Sequence, residues 1–176
     1  MIKMIICAIV LAAIAATPLH AAGNWYAGIQ LGAEILTDSR DDADDAAAFG
    51  VYGGYRIDRM VSLEANLTTA NHDIDGPGDP EIDITSVLFG PRLTGQAGRN
   101  VNLYAGTGLG IYFLDYEIRD HDDSETETGL YLGAGMEFPV QRDLNLGLDF
   151  KYHLLFDDDA IDSDIVTLLV RVGFDL

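Results

Sequence analysis

The stretch Ile165-Val166-Thr167-Leu168-Leu169-Val170-Arg171-Val172-Gly173-Phe174-Asp175-Leu176 alternates from end to end. Its even positions, Val166, Leu168, Val170, Val172, Phe174 and Leu176, are all apolar, whereas Thr167, Arg171, Gly173 and Asp175 are polar or small. Successive side chains of a strand point to opposite faces, so this is a β-strand with one greasy face and one polar face. The alternation runs to the last residue, which predicts that the chain finishes inside a sheet.

The same period of two recurs upstream. From about Asn24 to Glu34, Trp25, Ala27, Ile29, Leu31 and Ala33 oppose Tyr26, Gly28, Gln30, Gly32 and Glu34. Further strands are predicted over about 48–57, 61–69, 82–93, 101–113, 129–140 and 144–156. The facing of the fourth stays open, because Pro91 and a mixed polarity blur it. Asp58-Arg59-Met60 makes a tight hairpin, and short turns are expected near 95–99 and 139–143. Four stretches rich in Asp, Gly and Pro, at 37–45, 71–81, 115–128 and 157–164, read as long loops. Long and short connections therefore alternate along eight strands, the plan of an up-and-down transmembrane β-barrel with its tight turns on the periplasmic side.

Charge decides which face is inside. The polar faces carry Arg56, Glu64, Arg92, Glu137, Asp149, Lys151 and Arg171. Ionised groups in such number sit in a lumen only if they pair there. Arg171 lies five residues from the end of the chain, roughly 12 Å of height in a strand tilted by about 40°. Facing lipid at that depth costs on the order of 2–4 kcal/mol, and the flipped register also turns Val170, Val172 and Phe174 inward. Arg171 is therefore expected to point inward. Gly28, Gly106, Gly108, Gly133 and Gly147 share its face; a bore of eight strands leaves room for long side chains only beside small ones. The expected lumen is plugged by ion pairs.

Residues 1–22 belong to a different plan: Lys3 supplies a positive start, Ile5 to Ala16 an apolar run, and Ala21-Ala22 a small-residue exit. This reads as a secretory signal peptide, too short to span a membrane as a helix, ahead of a barrel domain at 23–176. The one cysteine, Cys7, falls inside it, so no disulfide framework is expected in the exported part. A formal charge of −19 excludes nucleic acid as a natural partner.

Three segments carry a family resemblance: the opening Trp25-Tyr26-Ala27-Gly28, the run Tyr104-Ala105-Gly106-Thr107-Gly108-Leu109-Gly110, and the final strand with Phe174. They resemble the small outer-membrane β-barrel proteins of Gram-negative bacteria, of the OmpA-transmembrane-domain, OmpX and opacity-protein type. That resemblance implies an all-β, eight-stranded antiparallel barrel in the bacterial outer membrane, a monomer surrounded by outer-membrane lipid. It also implies that Val170, Val172, Phe174 and Leu176 act as the signal read by the barrel-assembly machinery, although the family usually ends on Phe or Trp.

Of the 29 acidic residues, 22 fall in the four loop regions or at their edges. A solvated, repulsive crown is the plain reading, with an unknown extracellular partner met through the loops. Hard oxygen ligands also suit Ca²⁺ or Mg²⁺, and Asp120, Asp122, Asp157 and Asp159 are the candidate ligands, although Asp120-x-Asp122-x-Ser124 lacks the later residues of a calcium loop. No other cofactor is expected, nor an enzyme. His153 is read as the single strand histidine, with Asp149 four residues off, roughly 13 Å along the strand and beyond direct hydrogen-bond reach. The His-x-Ser-Asn pattern of barrel lipid A deacylases is absent, since Leu154-Leu155-Phe156 follows His153. His72 and His121 are placed in loops. Trp25, Tyr55, Phe138 and Phe174 at one end, with Tyr112, Phe113, Tyr152 and Phe156 at the other, are expected to form two interfacial girdles. Two alternatives stay open: a small porin, and a soluble lipocalin-like carrier of apolar ligands suggested by Gly23-Asn24-Trp25-Tyr26.

Overall fold

The computed structural model describes residues 24–37, 45–73, 81–118, 121–156 and 164–176. Eight strands occupy them: β1 Trp25–Thr37, β2 Ala46–Arg56, β3 Val61–Asp73, β4 Glu81–Gln96, β5 Asn102–Ile118, β6 His121–Gln141, β7 Leu144–Leu155 and β8 Asp164–Asp175. Each pairs antiparallel with its sequence neighbour, and β8 returns to β1 to close the barrel. The expected signal segment 1–22 lies outside the described residues.

Register fixes the tilt. From Glu34 the pairing runs through Thr167, Lys151, Gly133, Gly106, Arg92, Ser62 and Arg56, whose amide donates to the carbonyl of Asn24. One circuit thus drops ten residues along β1, from 34 to 24. A stagger of that size accompanies strands inclined by roughly 40°. It also brings residues distant in sequence to one level of the bore.

The alternation seen in the sequence sorts the faces. Ile29, Leu31, Phe49, Leu109, Leu132 and Leu168 point outward and stay exposed, Ile29 at 60%. Gln30, Glu64, Asp149, Lys151 and Arg171 point inward and are buried, Arg171 at 1%. An apolar belt of this extent belongs in hydrocarbon. In β4 the even positions face inward, with Ile82, Ile84, Ser86, Leu88 and Arg92 buried and Phe89 and Leu93 exposed. Pro91 thus falls on the outer face, and the β4–β5 register of Phe89 with Leu109 resumes unshifted at Arg92 with Gly106.

Three connections at one end are short. In the β2–β3 turn the Asp58 carboxylate accepts the amides of Met60 at 2.7 Å and Val61 at 2.8 Å, which holds its pKa below the usual carboxylate range. The β6–β7 register shifts between Pro139 and Gln141, where proline has no amide for the ladder.

At the other end the described residues of the expected third long loop, 115–118 and 121–128, are sheet. β5 continues to Ile118 and β6 starts at His121, with Asp115 opposite Ser124 and Glu117 opposite Asp122. The polar run looked like loop because its lipid-facing alternation stops, yet beyond the bilayer a strand can be polar on both faces. Likewise Asn71 to Asp73 and Glu81 belong to strands. Two further corrections concern histidine: His72 lies in β3 and is fully buried, and His121 opens β6. Tyr112 leaves the outer girdle, since it too is fully buried in the lumen.

Candidate functional site

The lumen is built in two storeys. On the turn side, Glu64 of β3 is the hub. Its Oε1 meets Arg171 Nη2 at 3.0 Å and accepts from Asn66 Nδ2 at 3.2 Å. Its Oε2 accepts from Arg92 Nη1 at 2.8 Å and from the Tyr26 hydroxyl at 2.9 Å. Arg92 gives its other amino group to Glu137 at 2.6 Å. Asp149 accepts from Lys151 Nζ and, at 2.8 Å, from the Tyr104 hydroxyl, with Arg171 Nη1 3.8 Å away. Arg92, Lys151 and Arg171 thus balance Glu64, Glu137 and Asp149, and the cluster is formally neutral. Arg56 is the one residue of the seven that stands apart: it pairs with Asp175 at 2.6 Å, both partly exposed at the mouth.

Sequence reasoning missed the tyrosines that hold the guanidiniums. Arg171 Cζ lies 3.5 Å from the centre of the Tyr52 ring and Arg92 Cζ 3.8 Å from that of Tyr104. Stacking of this kind stabilises a desolvated arginine beyond its ion pairs. Each ring covers a glycine directly opposite on the next strand: Tyr52 over Gly28, Tyr26 over Gly54, Tyr104 over Gly135. The signal was present as tyrosine on the polar face beside strand glycines, but it needs the register to be read.

On the loop side the bore mixes an apolar cluster with buried polar groups, among them Glu34, Ser86, Glu127 and Thr167. Ile82, Ile84, Leu88, Tyr112, Leu114, Tyr131 and Ile165 form one buried cluster. Gln30 donates its amide to Thr68 Oγ1 at 2.8 Å, and His72, opposite Ile82 of that cluster, has its Nε2 3.3 Å from Glu34 Oε1. His153 Nδ1 is 2.9 Å from the Tyr112 hydroxyl and its Nε2 3.3 Å from Thr167 Oγ1. Both ring nitrogens thus meet hydroxyls, and Asp149 is engaged elsewhere, so no carboxylate-oriented base is assembled around His153.

Of the candidate cation ligands, Asp120, Asp157 and Asp159 lie outside the described residues, and Asp122 stands in β6 opposite Glu117. Among the described residues no group of three potential ligands converges. The final-strand residues Val170, Phe174 and Leu176 are exposed on the outer face, and Val172, half-buried, shares it.

A closed antiparallel barrel, greasy outside and ion-paired inside, is a membrane-spanning β-barrel. The chain belongs to the outer membrane protein beta-barrel domain family, whose model matches residues 5–174, and its place is the bacterial outer membrane. It is 24% identical over 168 residues to the 22 kDa outer membrane protein of Rhizobium leguminosarum bv. viciae, covering 90% of this chain and 76% of that protein. In fold it is similar to Neisserial surface protein A, with a TM-score of 0.71 at 14% identity over 86% of this chain and 97% of that one. The attachment invasion locus protein Ail of Yersinia pestis follows, with a TM-score of 0.60 at 17% identity over 88% and 97%. Nothing in the architecture or in these likenesses supports the soluble-carrier alternative.

Proposed function

We propose that this protein is a non-enzymatic, monomeric barrel whose lumen is shut and which acts through its loop end on partners at the cell surface. The observation that carries this reading is the division of charge: a balanced, interlocked cluster on the turn side of the lumen, and a sequence that puts 22 of the 29 acids in or beside the four stretches read as long loops. We read the paired ions and the apolar cluster as a plug of the bore, a reading that disfavours the small-porin alternative.

The sign of the loop end sets the partner's chemistry. Ail was crystallised in complex with the heparin analogue sucrose octasulfate, a polyanion; an acid-rich crown repels such a ligand and favours a basic protein surface or divalent cations. Cations have a specific observation behind them. Asp73 stands opposite Glu81, Glu81 opposite Glu117, and Glu117 opposite Asp122, one row of acids across four strands. Like charges directly opposed weaken a sheet, and Ca²⁺ or Mg²⁺ would relieve that repulsion.

The test replaces 38–44, 74–80 and 157–163 with two-residue turns. The shortened barrel is expected to reach the outer membrane and to lose attachment of the cells to polylysine-coated surfaces. A shortened barrel that supports attachment as well as the full chain would overturn the reading.

A further inference from the structure

At the turn end the barrel opens into a cup of about 570 Å³, floored by Tyr26 and Tyr52. Four arginines line it, Arg56, Arg59, Arg92 and Arg142, against three carboxylates, Asp58, Glu137 and Asp175. Every one of these carboxylates is engaged within the chain. Asp58 accepts the amides of Met60 and Val61, Glu137 is held by Arg92 at 2.6 Å, and Asp175 by Arg56 at 2.6 Å and Asn145 at 3.4 Å. Arg56 and Arg92 are consumed by the same pairs. Arg59 and Arg142 are not: both are exposed, and among the described residues neither has a carboxylate within ion-pair distance. A chain with a formal charge of −19 thus keeps two unspent cations facing one cavity.

Their placement matters as much as their charge. Arg59 sits on the β2–β3 turn and Arg142 on the β6–β7 turn, four strands apart in a ring of eight, hence on opposite sides of the mouth. Placed on opposite sides, they suit two separated anionic groups better than one small anion. We propose that the cup is a binding site for a ligand carrying two separated anionic groups, phosphate or carboxylate, each taken by one of these two arginines. Guanidinium forks match such oxygens in pairs, and the tyrosine floor and Asn145 suit a polar body between them. Two sources present this chemistry on the periplasmic side: a soluble bis-anion, and neighbouring anionic phospholipid headgroups.

The experiment titrates fructose 1,6-bisphosphate and inorganic phosphate into the full folded chain in zwitterionic micelles, and separately compares the unfolding temperature in phosphatidylcholine vesicles with and without phosphatidylglycerol. Saturable binding of the bisphosphate, at least tenfold tighter than phosphate and weakened about tenfold by Arg59→Gln and by Arg142→Gln, supports the site with a soluble ligand. Stabilisation by phosphatidylglycerol alone, lost in both variants, supports it with headgroups as the source. Arg99→Gln is the control, since Arg99 lies on the intervening turn and does not line the cup. No response to either probe, or an equal loss with Arg99→Gln, would overturn the proposal; heat-modifiable migration on gels verifies that each variant is folded.

Discussion

Arg171 on β8 and Glu64 on β3 meet inside the lumen, Nη2 to Oε1, at 3.0 Å, with both side chains almost fully buried. They are more than a hundred residues apart in sequence, and the ten-residue stagger of the closed sheet brings them to one level. Glu64 also holds Arg92, and Arg92 holds Glu137. Through these contacts the pair ties β3, β4, β6 and β8 together across the bore.

Removing the hub leaves two desolvated guanidiniums short of a partner. Glu64→Ala is expected to destabilise the folded barrel by about 3–5 kcal/mol, read as urea unfolding in detergent or lipid. A double-mutant cycle with Arg171→Ala should show clear coupling, because the second change removes a charge already stranded by the first. Additive effects would mean that the two residues do not support one another.

The tyrosine clamp is tested at glycine. A Cβ on Gly28 would stand 2.6 Å from Tyr52 Cε1 and press on the carbonyl of Val172. Gly28→Ala should therefore displace Tyr52 from Arg171 and cost about 1–3 kcal/mol. Gly53→Ala, where the nearest atom lies 3.5 Å away, should change stability by less than about 0.5 kcal/mol.

The cation reading proposed for the row Asp73, Glu81, Glu117 and Asp122, set side by side by the register, is tested with salts. Millimolar Ca²⁺ or Mg²⁺ should raise the unfolding temperature more than NaCl of equal ionic strength, and Asp122→Asn should shrink the difference. Identical responses to the divalent and sodium salts would reduce the effect to general screening.

The final strand presents Val170, Phe174 and Leu176 outward. If these residues are read during assembly, Leu176→Phe should raise the fraction of folded barrel recovered from cells, and Phe174→Ala should lower it, with little change in the stability of refolded protein. Unchanged yields in both would remove the assembly role from this strand end.

Period-two alternation made the strands legible, because lipid on one side and a packed lumen on the other leave each strand two chemically distinct faces. It also placed Arg171, Glu64 and Asp149 inward. Three features stayed hidden, each for a physical reason. The strand facing around Pro91 is set by the β3–β4 and β4–β5 registers and not by its own mixed polarity. The sheet over 115–118 and 121–128 lies where the apolar alternation has stopped but backbone pairing continues. The clamps of Tyr52 on Arg171 and of Tyr104 on Arg92, and the contact between His72 and Glu34, depend on barrel stagger, which no single strand encodes.

The central claim is a barrel whose lumen is shut by paired charges and an apolar plug. Planar-bilayer recording on refolded protein, its folded state verified by the shifted migration of the unboiled band, tests this most directly. The account predicts a silent bilayer for the wild-type chain across physiological voltages. Stable, reproducible current steps from that same folded protein would contradict it.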